Sequence, residues 1–203
     1  MPAATTLETP AGGLTPEARE AVTRARERAR PVFRAARIAA FNGWTLGVIA
    51  ALSIPFAFFS IPGALVTIGL AVVAYNEFRG RRGLLALDPS AATRLGWNQL
   101  ALVTLVVIYC AWMLWSGLTG EAPMQKELQA SPELQDALGS LGDVDQLYRA
   151  LVLVVYGTII VATVIVQGGN ALYYFTRRKY VDAFLRDTPE WAIEMQRMAA
   201  DSR

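Results

Sequence analysis

The chain has 203 residues, 54% of them hydrophobic, and a formal net charge of only +2. Most of the hydrophobic residues fall in four long stretches, so no soluble domain of ordinary size fits between them. The sequence has no histidine, which excludes haem ligation by histidine, histidine general bases and most catalytic zinc and iron sites. The single cysteine, Cys110, lies inside an apolar stretch and excludes a disulfide within one chain.

A basic segment precedes the first apolar stretch. Residues 1–14 are small and polar and contain proline and glycine, a composition typical of a disordered tail. Thr15-Pro16-Glu17 predicts the start of a basic cytoplasmic helix over 15–37, because a hydroxyl, a proline and an acid all favour a helix N-terminus. We expect a break near Arg30, because Pro31 disfavours helix in the residue before it.

The apolar stripe of this N-terminal helix consists of small residues. They are Ala18, Val22, Ala25 and Ala29. A stripe this small does not sink into a membrane strongly, so the arginines dominate the behaviour of the helix. Two interpretations remain open: the arginines rest on anionic lipid, or the helix is solvated and carries internal Glu–Arg pairs.

Four segments have the length and composition of membrane-spanning helices. A helix needs about 20 mostly apolar residues to cross about 30 Å of hydrocarbon. The predicted spans are 38–59, 61–79, 95–118 and 147–175, which make an all-α transmembrane domain over 38–175. Ser60-Ile61-Pro62-Gly63 predicts a tight turn after span one, and Asp88-Pro89 predicts the cap of the helix that becomes span three.

Small residues recur every four positions on span one. They are Ala39, Gly43, Gly47 and Ala51. Small side chains at this spacing allow two helix backbones to approach closely. The strip therefore predicts a packing contact, either with span two or with a second protomer.

Basic residues are distributed unevenly among the segments between the spans. Seven arginines precede span one, four flank the loop between spans two and three, and six basic residues follow span four. The loop 119–146 carries six acids and only one lysine, Lys126. Because lysine and arginine mark the cytoplasmic side, we predict two hairpins in the cell (inner) membrane, both termini in the cytoplasm and an acidic outer loop.

Two shorter helices are predicted outside the spans. Ser131-Pro132-Glu133 predicts one in the outer loop, with Leu134, Leu138 and Leu141 on one face. Span four continues to about Leu185, and Thr188-Pro189-Glu190 predicts a last helix within the cytoplasmic tail 176–203. The apolar stripe of this last helix is Trp191, Met195 and Met198. It lies either on the inner membrane surface or on the N-terminal helix.

Each span carries a carboxamide near its basic end. If these side chains face inward, they form one polar layer with Glu77: Asn42, Asn76, Glu77, Asn98, Gln99, Gln167 and Asn170. Such a layer either only packs the bundle through interhelical hydrogen bonds or forms a vestibule for an ion or a head group. Glu77 precedes Arg81 by four residues, so we expect an ion pair and a charged carboxylate that reaches the interface.

The sequence contains no catalytic signature. G-x-S-x-G, the P-loop and H-E-x-x-H are all absent, so we predict no enzyme activity, no metal and no cofactor. We predict a non-catalytic accessory or interaction subunit whose partners are membrane lipid and a membrane or cytoplasmic protein, or further copies of the chain. The alternative is a small oligomeric channel or transporter that uses the polar layer. Nucleic acid is not expected, because acids among the N-terminal arginines lower the positive potential.

Overall fold

The computed structural model describes residues 15–120 and 141–201, and the regular elements within these ranges are all helices. In chain order they are α1 (Pro16–Phe59), α2 (Ile61–Leu85), α3 (Pro89–Thr119), α4 (Leu141–Asp187) and α5 (Glu190–Asp201). The first four each contain a segment long and apolar enough to cross a membrane. The predicted all-helical fold with four candidate spans is confirmed. The predicted disordered tail 1–14 and the helix predicted around 131–139 lie outside the described residues.

Three helices begin with a side-chain cap, at Thr15 and Asp88 as predicted and at Ser60 in the predicted turn. The Thr15 hydroxyl accepts a hydrogen bond from the backbone N–H three positions on at 3.2 Å, and the Ser60 hydroxyl does the same at 3.1 Å. The Asp88 carboxylate accepts from the backbone N–H two positions on at 2.9 Å. Each cap is followed by a proline in the first helical turn, where its missing N–H costs nothing. Ser60 alone separates α1 from α2, so the turn after span one is as tight as predicted.

The predicted helix break near Arg30 is wrong. Helix α1 runs for 44 residues through both Pro31 and Pro55. A proline removes one backbone hydrogen bond and crowds the preceding turn, but packing outweighs this local cost here. Ala29 and Val32, on either side of Pro31, are both fully buried against other helices. The basic segment 15–37 and the first span are therefore parts of one continuous helix.

The buried side of α1 follows a seven-residue repeat. Its members, spaced alternately four and three residues apart, are Ala25, Ala29, Val32, Ala36, Ala39, Gly43, Leu46 and Ala50. An average spacing of 3.5 residues is that of a coiled-coil seam. Of the predicted four-residue strip, Ala39 and Gly43 lie in this seam, whereas Gly47 and Ala51 do not. A strict spacing of four rotates about 40° per step around a helix and so leaves the interface. At Gly43 the neighbour is the Phe78 ring of α2, 3.1 Å from a Cβ built there.

The largest cluster of buried apolar side chains, the basal core, lies at the arginine-rich ends of the spans. All five helices contribute to it: Ala25, Ala29, Val32, Ala35, Ala36, Ala39, Leu84, Leu87, Ala91, Ala92, Leu95, Tyr174, Val181, Phe184, Ala192 and Ile193. A smaller cluster, the upper core, lies within the spans: Leu46, Ala50, Leu70, Val73, Ala74 and Leu102. Only 6% of the apolar segment of α4 is buried inside the protein, so most of that segment faces outward as hydrocarbon-exposed surface would.

The face that α5 turns inward differs from the predicted stripe. Ala192 and Ile193 are buried and belong to the basal core, together with Ala25 and Ala29 of α1. The sequence left two positions open for this helix, the membrane surface and the N-terminal helix. In the structure α5 packs on the N-terminal part of α1. Of the predicted stripe, Trp191 is 42% exposed and Met198 65% exposed, whereas Met195 is half-buried. Ala192 and Ile193 are the side chains of α5 that join the alanine-rich face of α1 in this core, and Trp191 and Met198 lie outside it.

Candidate functional site

Glu77 lies at the centre of the bundle rather than at its surface. Its side chain is completely buried, on the same face of α2 as Leu70, Ala74 and Leu84. The predicted ion pair with Arg81 is wrong, because no ion pair joins these two residues in the described part of the chain. The face of α2 that carries Glu77 is turned towards α3, whose amide side chains bind the carboxyl group instead.

Three neutral donors bind the Glu77 carboxyl group. Its Oε1 accepts from Asn98 Nδ2 at 2.7 Å and from Gln99 Nε2 at 2.8 Å. Its Oε2 accepts from the Tyr174 hydroxyl at 3.3 Å. Asn42 Nδ2 in turn donates to that hydroxyl at 3.4 Å. We call these five residues the Glu77 cluster, and every one of the four long helices contributes to it.

Further contacts fix the orientation of the amides. Asn98 Nδ2 also donates to the backbone carbonyl of Val73 at 3.0 Å, so both of its hydrogens are used inside the bundle. Gln99 is fully buried, and its Oε1 has no hydrogen-bond partner among the described residues. The cluster therefore holds a carboxyl group and a free amide oxygen in one buried site.

Two glycines bring the helices close enough for these bonds. A Cβ built at Gly80 of α2 would lie 2.4 Å from Leu95 Cδ2 of α3. A Cβ built at Gly96 of α3 would lie 2.6 Å from the Phe175 ring of α4. A side chain at either position would force the side chain of Leu95 or Phe175 to move. The Gly96 contact sets Phe175 against α3 and places its neighbour Tyr174 in the cluster.

The structure brings four of the seven predicted polar-layer residues together: Asn42, Glu77, Asn98 and Gln99. Asn76 is exposed and lines a cavity on the outside of α2 and α3. Gln167 and Asn170 are half-buried and bond to each other at 3.1 Å. They share a helix face with Tyr174 but lie farther along the span, where α4 buries little of its surface. They therefore pair within α4 instead of reaching α2.

Sequence reasoning missed Tyr174 as a member of the cluster. It lies between Tyr173 and Phe175 at the basic end of span four, where aromatic residues are typical of a membrane boundary, yet it is fully buried. One signal was available: Tyr174 follows Asn170 by four residues and Gln167 by seven, so all three fall on one helical face. A tyrosine hydroxyl in a buried place needs a partner, which makes it a natural end to a polar face.

The described side chains of this site can donate and accept hydrogen bonds, and the Glu77 carboxyl group can bind a proton. The described residues contain no group of three or more side chains that could hold a metal ion. Cys110 is buried in α3, and no titratable side chain other than Tyr174 hydrogen-bonds to Glu77 in the described residues. Comparisons of the chain with protein-family models, with curated proteins and with solved structures found no match in any of the three.

Replacing Asn98 with leucine should destabilise the bundle. The change removes two donor bonds and leaves Glu77 and the Val73 carbonyl short of a partner, which costs about 1–3 kcal/mol of unfolding free energy. Asn76→Leu is the matched control, since the same change on an exposed position should leave the melting temperature in detergent unchanged or slightly raised. Asn170→Leu should have a smaller effect than Asn98→Leu, because the Asn170 bond stays within one helix. Equal melting temperatures for Asn98→Leu and Asn76→Leu would show that the cluster does not hold the helices together.

Proposed function

We propose that the protein is a non-catalytic accessory or interaction subunit of the cell (inner) membrane, in which two helical hairpins present cytoplasmic helices to a partner. The observation that carries the proposal is the position of the basal core. Most of its residues, from Ala25 to Ala36 and from Val181 to Ile193, lie outside the predicted spans. The best-packed part of the chain thus lies outside the apolar segments, where a soluble or peripheral partner can reach it. We call this part, formed by the ends of α1 and α4 together with α5, the platform.

An exposed apolar stripe on the platform supports this proposal. Trp191 and Met198 of α5 lie on one helical face and are 42% and 65% exposed, with the half-buried Met195 between them. The part of α1 beneath α5 includes Ala25, which precedes the start of span one at Ile38 by 13 residues, roughly 20 Å of helix. At that distance from the spans, a partner protein covers the stripe more readily than the membrane does.

The upper core also supports a non-conducting role. It lies on the far side of the Glu77 cluster from the basal core and consists of apolar side chains. Among the described residues, Thr67 is the one buried polar side chain beyond the cluster in that direction. Its hydroxyl is engaged with the backbone carbonyls of Gly63 at 2.8 Å and Ser53 at 3.2 Å. The buried polar side chains of the described residues therefore do not form a continuous path from one end of the spans to the other.

The proposed partner contact can be tested by affinity purification from native membranes in mild detergent. We expect one protein to co-purify in stoichiometric amount with the wild-type chain. Trp191→Ser/Met198→Ser should reduce that amount at least about tenfold, because each large apolar side chain contributes about 1.5–3 kcal/mol when buried. Glu194→Ser/Arg197→Ser, on the exposed polar positions of the same helix, should not. The proposal fails if no stoichiometric partner is found, or if both double variants retain it equally.

The proposed topology places residues 119–146 outside and both termini in the cytoplasm. Single cysteines at Ser131 and Ser202, in a Cys110→Ala background, test it with a membrane-impermeant maleimide on intact spheroplasts. We expect Ser131→Cys to be labelled and Ser202→Cys to be labelled only after the membrane is permeabilised. Labelling in the reverse pattern would mean that the orientation is inverted.

A second candidate, a small oligomeric channel or transporter, is favoured by one observation: the buried Glu77 carboxyl group has neutral partners only. A buried carboxylate without a counter-charge is costly, so such groups often bind protons or cations. Proton and cation flux into liposomes should compare the wild type with Glu77→Gln and with Glu20→Gln, which removes an exposed acid. We expect no flux above empty liposomes from any of the three. Flux that is lost only in Glu77→Gln would replace the accessory-subunit proposal with the transport one.

A further inference from the structure

A cavity of about 1000 Å³ lies beside the Glu77 cluster, on the face of α2 and α3 that is turned away from the centre of the bundle. It is at the upper end of the size range of small-molecule sites. Three arginines from three different helices line it: Arg79 of α2, Arg94 of α3 and Arg178 of α4. All three lie at the basic ends of the spans, where head groups of a bilayer would lie.

The wall formed by α3 changes from polar to apolar along its length. Ser90, Arg94, Trp97 and Ala101 all line the cavity and follow one another at intervals of four, three and four residues. They therefore lie on one face of the helix. Trp97 lies about 4.5 Å farther into the apolar segment than Arg94, and Ala101 lies a further turn beyond. The Trp97 ring is exposed and packs edge-on against Phe175, with ring centroids 6.0 Å apart.

The positive charge of the cavity is only partly neutralised. Asp88 is the one carboxylate in the lining. Its oxygens are taken by the Ser90 hydroxyl at 2.6 Å and by Arg94 at 3.2 Å. Hydrogen bonds from Ser90, with the charge of Arg94, keep the pKa of Asp88 below its usual value, so Asp88 offsets one arginine. Arg178 has an acidic neighbour, Asp182, at 3.7 Å, but both side chains of that pair are at least half exposed. Arg79 has no hydrogen bond or ion pair among the described residues.

We propose that this cavity binds the head group of an anionic glycerophospholipid, with the phosphate at Arg79 and Arg178 and an acyl chain along Trp97 and Ala101. Basic cavities between membrane helices are suited to such head groups, and guanidinium groups bind phosphate through charge-assisted hydrogen bonds. A soluble phosphate compound would use the arginines but not the apolar end of the same wall. The change from polar to apolar residues along the α3 wall is the reason to prefer a lipid. This preference does not depend on whether the protein is an accessory subunit.

Native mass spectrometry of the purified chain tests the proposal. The protein is titrated in detergent with phosphatidylglycerol or with phosphatidylcholine of the same acyl chains. We expect one phosphatidylglycerol to be retained at saturation and phosphatidylcholine to bind at least about tenfold more weakly. Arg79→Gln/Arg178→Gln should weaken phosphatidylglycerol binding at least about tenfold. Arg34→Gln/Arg37→Gln, which removes the same charge from exposed positions of α1, should retain it.

Two further measurements separate the other occupants. Trp97→Ala should weaken phosphatidylglycerol binding, whereas glycerol phosphate without acyl chains should neither bind nor compete. The melting temperature of both arginine variants without lipid should equal that of the wild type, since the substituted arginines are exposed, and Trp97→Ala should lower it only slightly through the lost ring contact with Phe175. Equal retention of both lipids would mean an apolar groove only. Equal loss in both arginine variants would mean general surface charge, and competition by glycerol phosphate would mean a soluble-anion site. Any of these three results overturns the proposal.

Discussion

The buried carboxyl group of Glu77 is the constraint to which the four spans are fitted. A carboxyl group inside an apolar bundle costs several kcal/mol unless its oxygens are hydrogen-bonded. The amides of Asn98 and Gln99 can reach the Glu77 carboxyl group in only one axial register of the helices. They therefore fix the axial position of α3 relative to α2. Tyr174 then fixes the height of α4 relative to both. Apolar packing alone specifies register weakly when lipid and protein interior are equally apolar, so polar bonds of this kind carry much of that specificity.

Packing divides the molecule into two parts of different character. Below the Glu77 cluster, the basal core joins all five helices and buries Tyr174 and Phe184 completely. Above it, six residues form the upper core, and only 6% of the apolar segment of α4 is buried inside the protein. The hydrophobic effect explains the difference, because burying apolar surface is favourable where the alternative is water and nearly neutral where it is hydrocarbon. The helices therefore converge tightly where they leave the apolar segments and separate within them.

Local chemistry made the helix starts predictable, because a cap and its proline act within one turn. Thr15 and Asp88 cap their helices as predicted, whereas Ser60 lies in the predicted turn and also caps α2. The same local rule failed at Pro31, where distant residues on α4 and α5 pack against the turns on either side of the proline. The orientation of Glu77 is also set from a distance. Its spacing to Arg81 suits an ion pair, but only the position of α3 decides which side of α2 faces the bundle. Likewise, nothing in the sequence of α5 alone shows that the alanines of α1 leave room for Ala192 rather than Trp191.

Asn98 connects the Glu77 cluster to the basic cavity, and its chemistry keeps the two apart. Both hydrogens of its amide nitrogen are donated inward, one to Glu77 and one to the Val73 carbonyl. The atom left for the cavity that Asn98 lines is therefore its carbonyl oxygen, which can only accept. A phosphate oxygen is also an acceptor, so Asn98 offers it no donor, and the donors in the lining are the arginines together with side chains such as Asn76 and Thr93. An anion in the cavity is thus held away from the buried carboxyl group, and the two acidic groups can occupy neighbouring sites without direct contact.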